Sequence, residues 1–285
     1  MDKYLLKLKA KYGYSDELLS ILEKLVPYFK KEFNVSEDII FNALLECEIH
    51  IQGEFENITW FLKEYFGVYG DDITNVKLEF PAIGRANTYK YVFTENGQIF
   101  SKRIIYLATK ILYEYNSFFK KDHDLSAFIF ELCHLIKGYN KSKIEDGKLV
   151  DSSGLSRHTY LYDAFKGNFE VNSFGIGIEN ALNEVDASNI FHAFTGREYK
   201  PTYSSAFDCI KALLKNKKMA EVIRNSQKNG DDNWIRYLGE DDSKVLIDNF
   251  DFLVYNRIPT PEYRFNFDEK VSEACDAVNR ISGKR

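Results

Sequence analysis

An α+β fold is predicted by three features of the chain. Apolar residues recur at helical spacing through the first seventy residues and again from Ile178 onward. Between them, residues 71–175 alternate as half-buried strands do and carry Asn-Gly and Asp-Gly turn signals. Finally, an aromatic share of 15% with only five prolines excludes a disordered chain.

The elements follow in order. Ser15 is placed to cap a helix from Asp16 toward Phe29, with Leu18, Leu19, Leu22, Leu25 and Val26 on its inner side. Ser36 opens a second helix bearing Ile39, Ile40, Phe41, Leu44 and Leu45, and a third apolar stretch runs through Ile58, Trp60, Phe61, Tyr65 and Phe66. Residues 1–70 are therefore expected to form a helical layer. After Gly70-Asp71-Asp72, strands are expected at Val76–Phe80, at Tyr89–Phe93 and Gln98–Leu107 around Asn96-Gly97, and on either side of Asp146-Gly147. Helices near 104–119 and 124–137 interrupt them. The last part is helical: an amphipathic segment from Tyr203 to Ile223, a stripe from Val245 to Val254, and another from Val271 to Ile281. These shifts divide the chain into 1–70, a core at 71–200, and a helical subdomain at 201–285.

With 285 residues and a net charge of −5, the chain has no basic field to recruit nucleic acid or anionic membrane. Its pairs Lys30-Lys31, Lys120-Lys121 and Lys217-Lys218 read as solvated helix ends. No stretch reaches the length of an apolar membrane span, and the opening Met1–Lys7 has no signal-like apolar core. A cytoplasmic location is expected. Cys47, Cys133, Cys209 and Cys275 form no Cys-x-x-Cys pair, so four buried free thiols are expected, and the sequons at Asn34, Asn57 and Asn140 are then without consequence.

The segment with chemical content is Ala127-Phe128-Ile129-Phe130-Glu131-Leu132-Cys133-His134-Leu135-Ile136. Glu131 and His134 lie three apart in an apolar helical run. Downstream, Ile178-Glu179-Asn180-Ala181-Leu182-Asn183-Glu184 begins a second helix. Together these segments resemble the gluzincin metallopeptidases, and are similar to zincin-like proteins of low-GC Gram-positive bacteria. In those a helix carries His-Glu-x-x-His and a later Asn-Glu helix adds a third zinc ligand. The resemblance spans residues from about 75 to about 200. It implies a zincin-like fold, a small mixed sheet packed on the active-site helix, with Glu131 as general base and His134 and Glu184 as metal ligands.

Two positions depart from that pattern. The first histidine is replaced by Phe130, and the acidic residue that would orient it, one turn after Glu184, is replaced by Ser188. Both losses fall on the same half of the site. The expectation is a vestigial site with no cofactor, in a protein that binds a peptide or protein partner rather than cleaving it. The alternative is an active zinc peptidase with an atypical third ligand, His158 or His192. Cys133 should turn into the core, His123 should serve the helix start, and Asp186 should face away from Glu184. A third class, an enzyme using Glu131 and Glu184 as paired carboxylates, has no substrate signal. No phosphate loop or nucleophile elbow is present, and Phe174-Gly175-Ile176-Gly177 reads as the turn into the Glu184 helix.

Overall fold

The computed structural model describes residues 2–53, 56–67, 86–95, 98–107, 122–137, 140–163, 165, 168–201, 204–255 and 264–283. The N-terminal layer is α1 (Asp2–Tyr12), α2 (Asp16–Phe33) and α3 (Glu37–Glu46). The expected caps form. Ser15 accepts from the Leu18 amide at 3.3 Å and Ser36 from the Ile39 amide at 3.4 Å. Along α2 the expected stripe is buried, from Leu18 to Phe29. Helix α1 was not expected, because its charged and apolar residues show no clear stripe. It is seated instead by Leu8 and by Tyr4, whose ring stacks on Phe41 at 4.9 Å and whose hydroxyl donates to Asp38.

A strand also lies within the first seventy residues. β1 (Glu48–Ile51) pairs parallel with β3 (Gln98–Leu107), which pairs antiparallel with β2 (Ala86–Glu95). A four-residue strand is too short for its alternation to register in sequence. One face of this sheet is covered by α4 (Ile58–Phe66), where Leu62 and Phe66 pack on Ile104 and Tyr106. The strand runs to Leu107, so no helix begins at 104. The proposed strand at Val76–Phe80, the Asn96-Gly97 turn and residues 108–119 lie outside the described residues.

A single small sheet was expected, and the described residues form two. β4 (Asn140–Glu145), β5 (Lys148–Ser153), β6 (Ser156–Asp163) and β7 (Asn168–Phe174) form an antiparallel meander in that order. Asp146-Gly147 makes the β4–β5 turn as read. The active-site helix of the resemblance, α5 (Asp122–Ile136), touches β2 of the first sheet and β5 of the second. Strand alternation fixes which face a residue occupies but not which strands share a ladder, so the division was not legible.

The described residues beyond are mainly helical: α6 (Ile176–Thr195), α7 (Ser204–Leu213), α8 (Lys217–Asn229), α9 (Asn233–Leu238), α10 (Glu240–Tyr255) and α11 (Arg264–Gly283). The expected helix over 203–223 is two, because Asn216 accepts from the Lys218 and Met219 amides and starts α8 afresh. Helix α6 is the axle of the molecule. Its Ile178, Ala181, Leu182 and Val185 belong to the C-terminal core with α7, α8, α10 and α11, and its Ala187, Ile190 and Phe191 belong to the N-terminal core with α2 and α5. At its start, Gly175 has φ of 71°. Asp251 of α10 accepts from the Gly175 and Gly177 amides at 2.9 and 2.6 Å, satisfying two of the free N–H groups there.

One expectation about cysteine is corrected. Cys209 of α7 and Cys275 of α11 form a disulfide across 66 residues, with Cα atoms 5.6 Å apart. Cys47 and Cys133 are free and buried, as expected of all four. Residues so far apart in sequence give no spacing signal for pairing.

Candidate functional site

The two helices of the resemblance pack against each other, α5 along α6. A side chain that meets His134 is Asn183, the residue before Glu184. Asn183 Nδ2 lies 2.5 Å from His134 Nδ1, while Asn183 Oδ1 accepts from the Lys137 ammonium. Lys137 donates to the amide oxygen, although burial lowers its pKa, and the amide NH2 is left facing His134. His134 Nδ1 is therefore the acceptor, and the ring is neutral with its proton on Nε2. Asn180, one turn earlier on α6, also hydrogen-bonds the ring. Burial, then the Lys137 charge, hold the imidazole well below the ordinary histidine range.

The polar contacts continue inward. Lys137 is paired with Glu179, both side chains almost wholly buried. Glu179 accepts from the Leu155 amide at 2.8 Å and from Gln227 Nε2 at 3.0 Å. Gln227 is bonded in turn to Arg224, which holds Asp186 through two nitrogens. Asp186 thus turns to Arg224 of α8. The chain from His134 to Asp186 joins α5, α6 and α8 through groups that all have partners.

Glu131, one turn before His134 on the α5 side facing β2, accepts from Thr88 Oγ1 at 2.7 Å. Two residues on, Lys90 pairs with Asp151 of β5 and lies over the Tyr160 ring at 5.1 Å. Burial pushes the Asp151 carboxyl up, but Lys90 and the Ser142 hydroxyl outweigh it and bring the group below its ordinary value. His158 of β6 stands opposite Asp151 in the ladder, with Nδ1 3.0 Å from Ser173 Oγ, and a proton on it would oppose protonation of His134. Phe130, half-buried at the edge of the N-terminal core, sets its ring edge-on to His134 at 4.8 Å.

The other singled-out residues are placed as follows. Glu184 is wholly buried on α6, and Ser188 is half-buried one turn later. Cys133 lies in the core, its thiol pushed up by burial. His192 is exposed near the end of α6, with Nδ1 3.1 Å from the Arg197 carbonyl. At 1.5 Å per residue it stands roughly 12 Å along the helix from Glu184. The His123 side chain lies outside the described residues. Sequence reading missed Asn180, Asn183, Lys137, Thr88, Lys90 and Asp151. The Asn of the Asn-Glu pair was the one signal at hand.

Zinc, which the resemblance implies, does not fit these donors. Among the described residues no three His, Cys, Asp or Glu side chains converge to hold a metal ion, and the contacts at His134 include the amides of Asn183 and Asn180. Fold and site together define a mixed helix-and-sheet protein in which two packed helices bury a connected polar network. No helix among the described residues is long and apolar enough to cross a membrane. No family model, curated protein or solved structure matches the chain.

The state of His134 has a measurable consequence. A neutral imidazole whose folded pKa is depressed contributes its full stability above the unfolded value, about 6.5. That contribution erodes as pH falls below 6.5, because the unfolded ring takes up a proton that the folded one refuses. Urea unfolding of the wild type is expected to lose stability between pH 7 and pH 5, and His134→Gln to lose less over the same interval. Parallel pH profiles would exclude a neutral, buried His134.

Proposed function

We propose that the protein is a zincin-like binding protein without peptidase activity, which holds an extended peptide beside α5. One observation carries this reading. Glu131, which would activate water in a peptidase, already accepts from Thr88, and His134, which would bind the metal, is bonded to Asn183 and packed by Phe130. Water activation by a carboxylate needs a free acceptor beside the metal-bound oxygen. Among the described residues β2 lies at the edge of its sheet, with Thr88 next to Glu131, where an extended peptide can add as a further strand. The expected partner is a peptide or a partly extended protein segment. A cytoplasmic location belongs to the same reading, and the Cys209–Cys275 disulfide is the feature that weighs against it.

The test uses unfolded casein and its peptides as probes, with zinc supplied or withheld. Peptides are expected to be retained intact, with slowed amide exchange along β2. Cleavage that requires zinc and is abolished by Glu131→Gln would sink the proposal. If zinc then bound stoichiometrically and was lost on His158→Ala as well as His134→Ala, His158 would be the third ligand. Chelator competition checks the account of the lost half-site. Phe130→His alone is expected to bind zinc weakly, and Phe130→His with Ser188→Asp about 10–100-fold more tightly. Equal affinities would show that position 188 does not orient position 130.

A further inference from the structure

We infer that Cys209 and Cys275 form a reversible redox clasp that fastens the last helix to the C-terminal bundle. The inference does not rest on the proposed function. Helix α11 packs on α10 and α7, and its Ala274, Ala277, Val278 and Ile281 share a core with Phe207, Ile210 and Leu213 of α7. The two cysteines sit on these facing surfaces with a Cα separation of 5.6 Å, inside the range that a disulfide bridges without backbone movement. The stretch between them, a sequence separation of 66, includes the whole of α8, α9 and α10. The bond therefore ties the two ends of the bundle together.

The other two thiols lie elsewhere, Cys47 after α3 and Cys133 on α5, both buried in the N-terminal core. Burial raises the Cys47 thiol to about 11 and Cys133 well above its ordinary value, which leaves little thiolate to exchange with the pair. Cys209 is buried and Cys275 is partly exposed, so exchange enters at Cys275. A thiolate of an external dithiol attacks Cys275 Sγ. The Cys209–Cys275 bond breaks, and Cys209 leaves as a thiolate that takes up a proton. The second thiol of the reductant then attacks the mixed disulfide, releases Cys275 as a thiol and departs as its own disulfide. Two electrons and two protons pass to the protein. Oxidised glutathione reverses the step and leaves as two reduced molecules.

The consequence is graded rather than all-or-none, because α11 keeps its apolar contacts when the bond is broken. What it loses is the restriction that the cross-link places on the unfolded chain. The experiment alkylates full-length protein in denaturant with iodoacetamide and counts modified cysteines by mass, then follows thermal unfolding of the same samples. Protein treated with oxidised glutathione is expected to show two modified cysteines, and protein treated with dithiothreitol four. The midpoint of unfolding is expected to fall by roughly 5–15 °C on reduction and to recover on reoxidation. Cys209→Ala with Cys275→Ala should unfold near the reduced value and ignore the reductant. Four alkylated cysteines after oxidation, or one midpoint for both redox states, would overturn the inference.

Discussion

Glu179→Ala is expected to destabilise the protein by about 3–5 kcal/mol, the loss seen when one partner of a buried ion pair is removed. Lys137 would keep Asn183 as a partner but lose the carboxylate that compensates its burial, in a place that water does not reach. The Leu155 amide and Gln227 would lose their acceptor in the same step. The network predicts more than a large number. Replacing both members of the pair, Glu179→Leu with Lys137→Met, should cost less than Glu179→Ala alone, because no uncompensated charge remains. Urea unfolding at pH 7 reads both. A single variant within about 1 kcal/mol of wild type would mean that Lys137 is neutral and needs no carboxylate. A double variant worse than the single would mean that the pair contributes net stability through its geometry. Gly154 marks how closely this carboxylate is enclosed: a Cβ there would lie 2.5 Å from Glu179 Oε2.

The second large effect is at Gly177, and its cause is steric. The first turn of α6 crosses α10 so closely that a Cβ on Gly177 would fall 2.0 Å from the carbonyl carbon and oxygen of Phe250. Both contacts are backbone, so no side-chain rotation relieves them. Gly177→Ala must push the two helices apart, which would also pull Asp251 from the Gly175 and Gly177 amides it accepts from. A loss of about 3 kcal/mol or more is expected, at the upper end for a single added methyl in a packed interior. Gly283→Ala, where nothing lies within 4 Å, serves as the control and should be close to neutral. If Gly177→Ala is equally neutral, α6 and α10 are not in the contact described. Gly175, two residues earlier at the N-cap, answers a different need, a positive φ at the helix entrance that a side chain rarely adopts.

Local features of this molecule were legible wherever one short stretch of chain determines them. Ser15 and Ser36 cap helices because a hydroxyl reaches an amide three residues on, and that relation is contained in the sequence. The apolar stripe of α2, the Asp146-Gly147 turn and the helices bearing Glu131 and Glu184 follow for the same reason. The Tyr203–Ile223 segment shows where this stops. Its apolar spacing runs on without a break, but Asn216 caps a new helix and divides it.

The tertiary structure decided everything that depends on which elements meet. β1 became a strand because β3 lies beside it in parallel, and the strands separated by α5 entered two sheets rather than one. Cys209 and Cys275 pair because α11 returns to α7, a meeting 66 residues apart that no local pattern records. At the site, the sequence supplied the helix with its altered position, Phe130, and the second helix that bears Glu184. Helix rotation added Asn180 and Asn183 at His134, with Lys137 behind them. A step of one residue turns a helical side chain by about 100°. The neighbour of a predicted contact is therefore as easily the true one, and only the packing of α5 on α6 chooses between them.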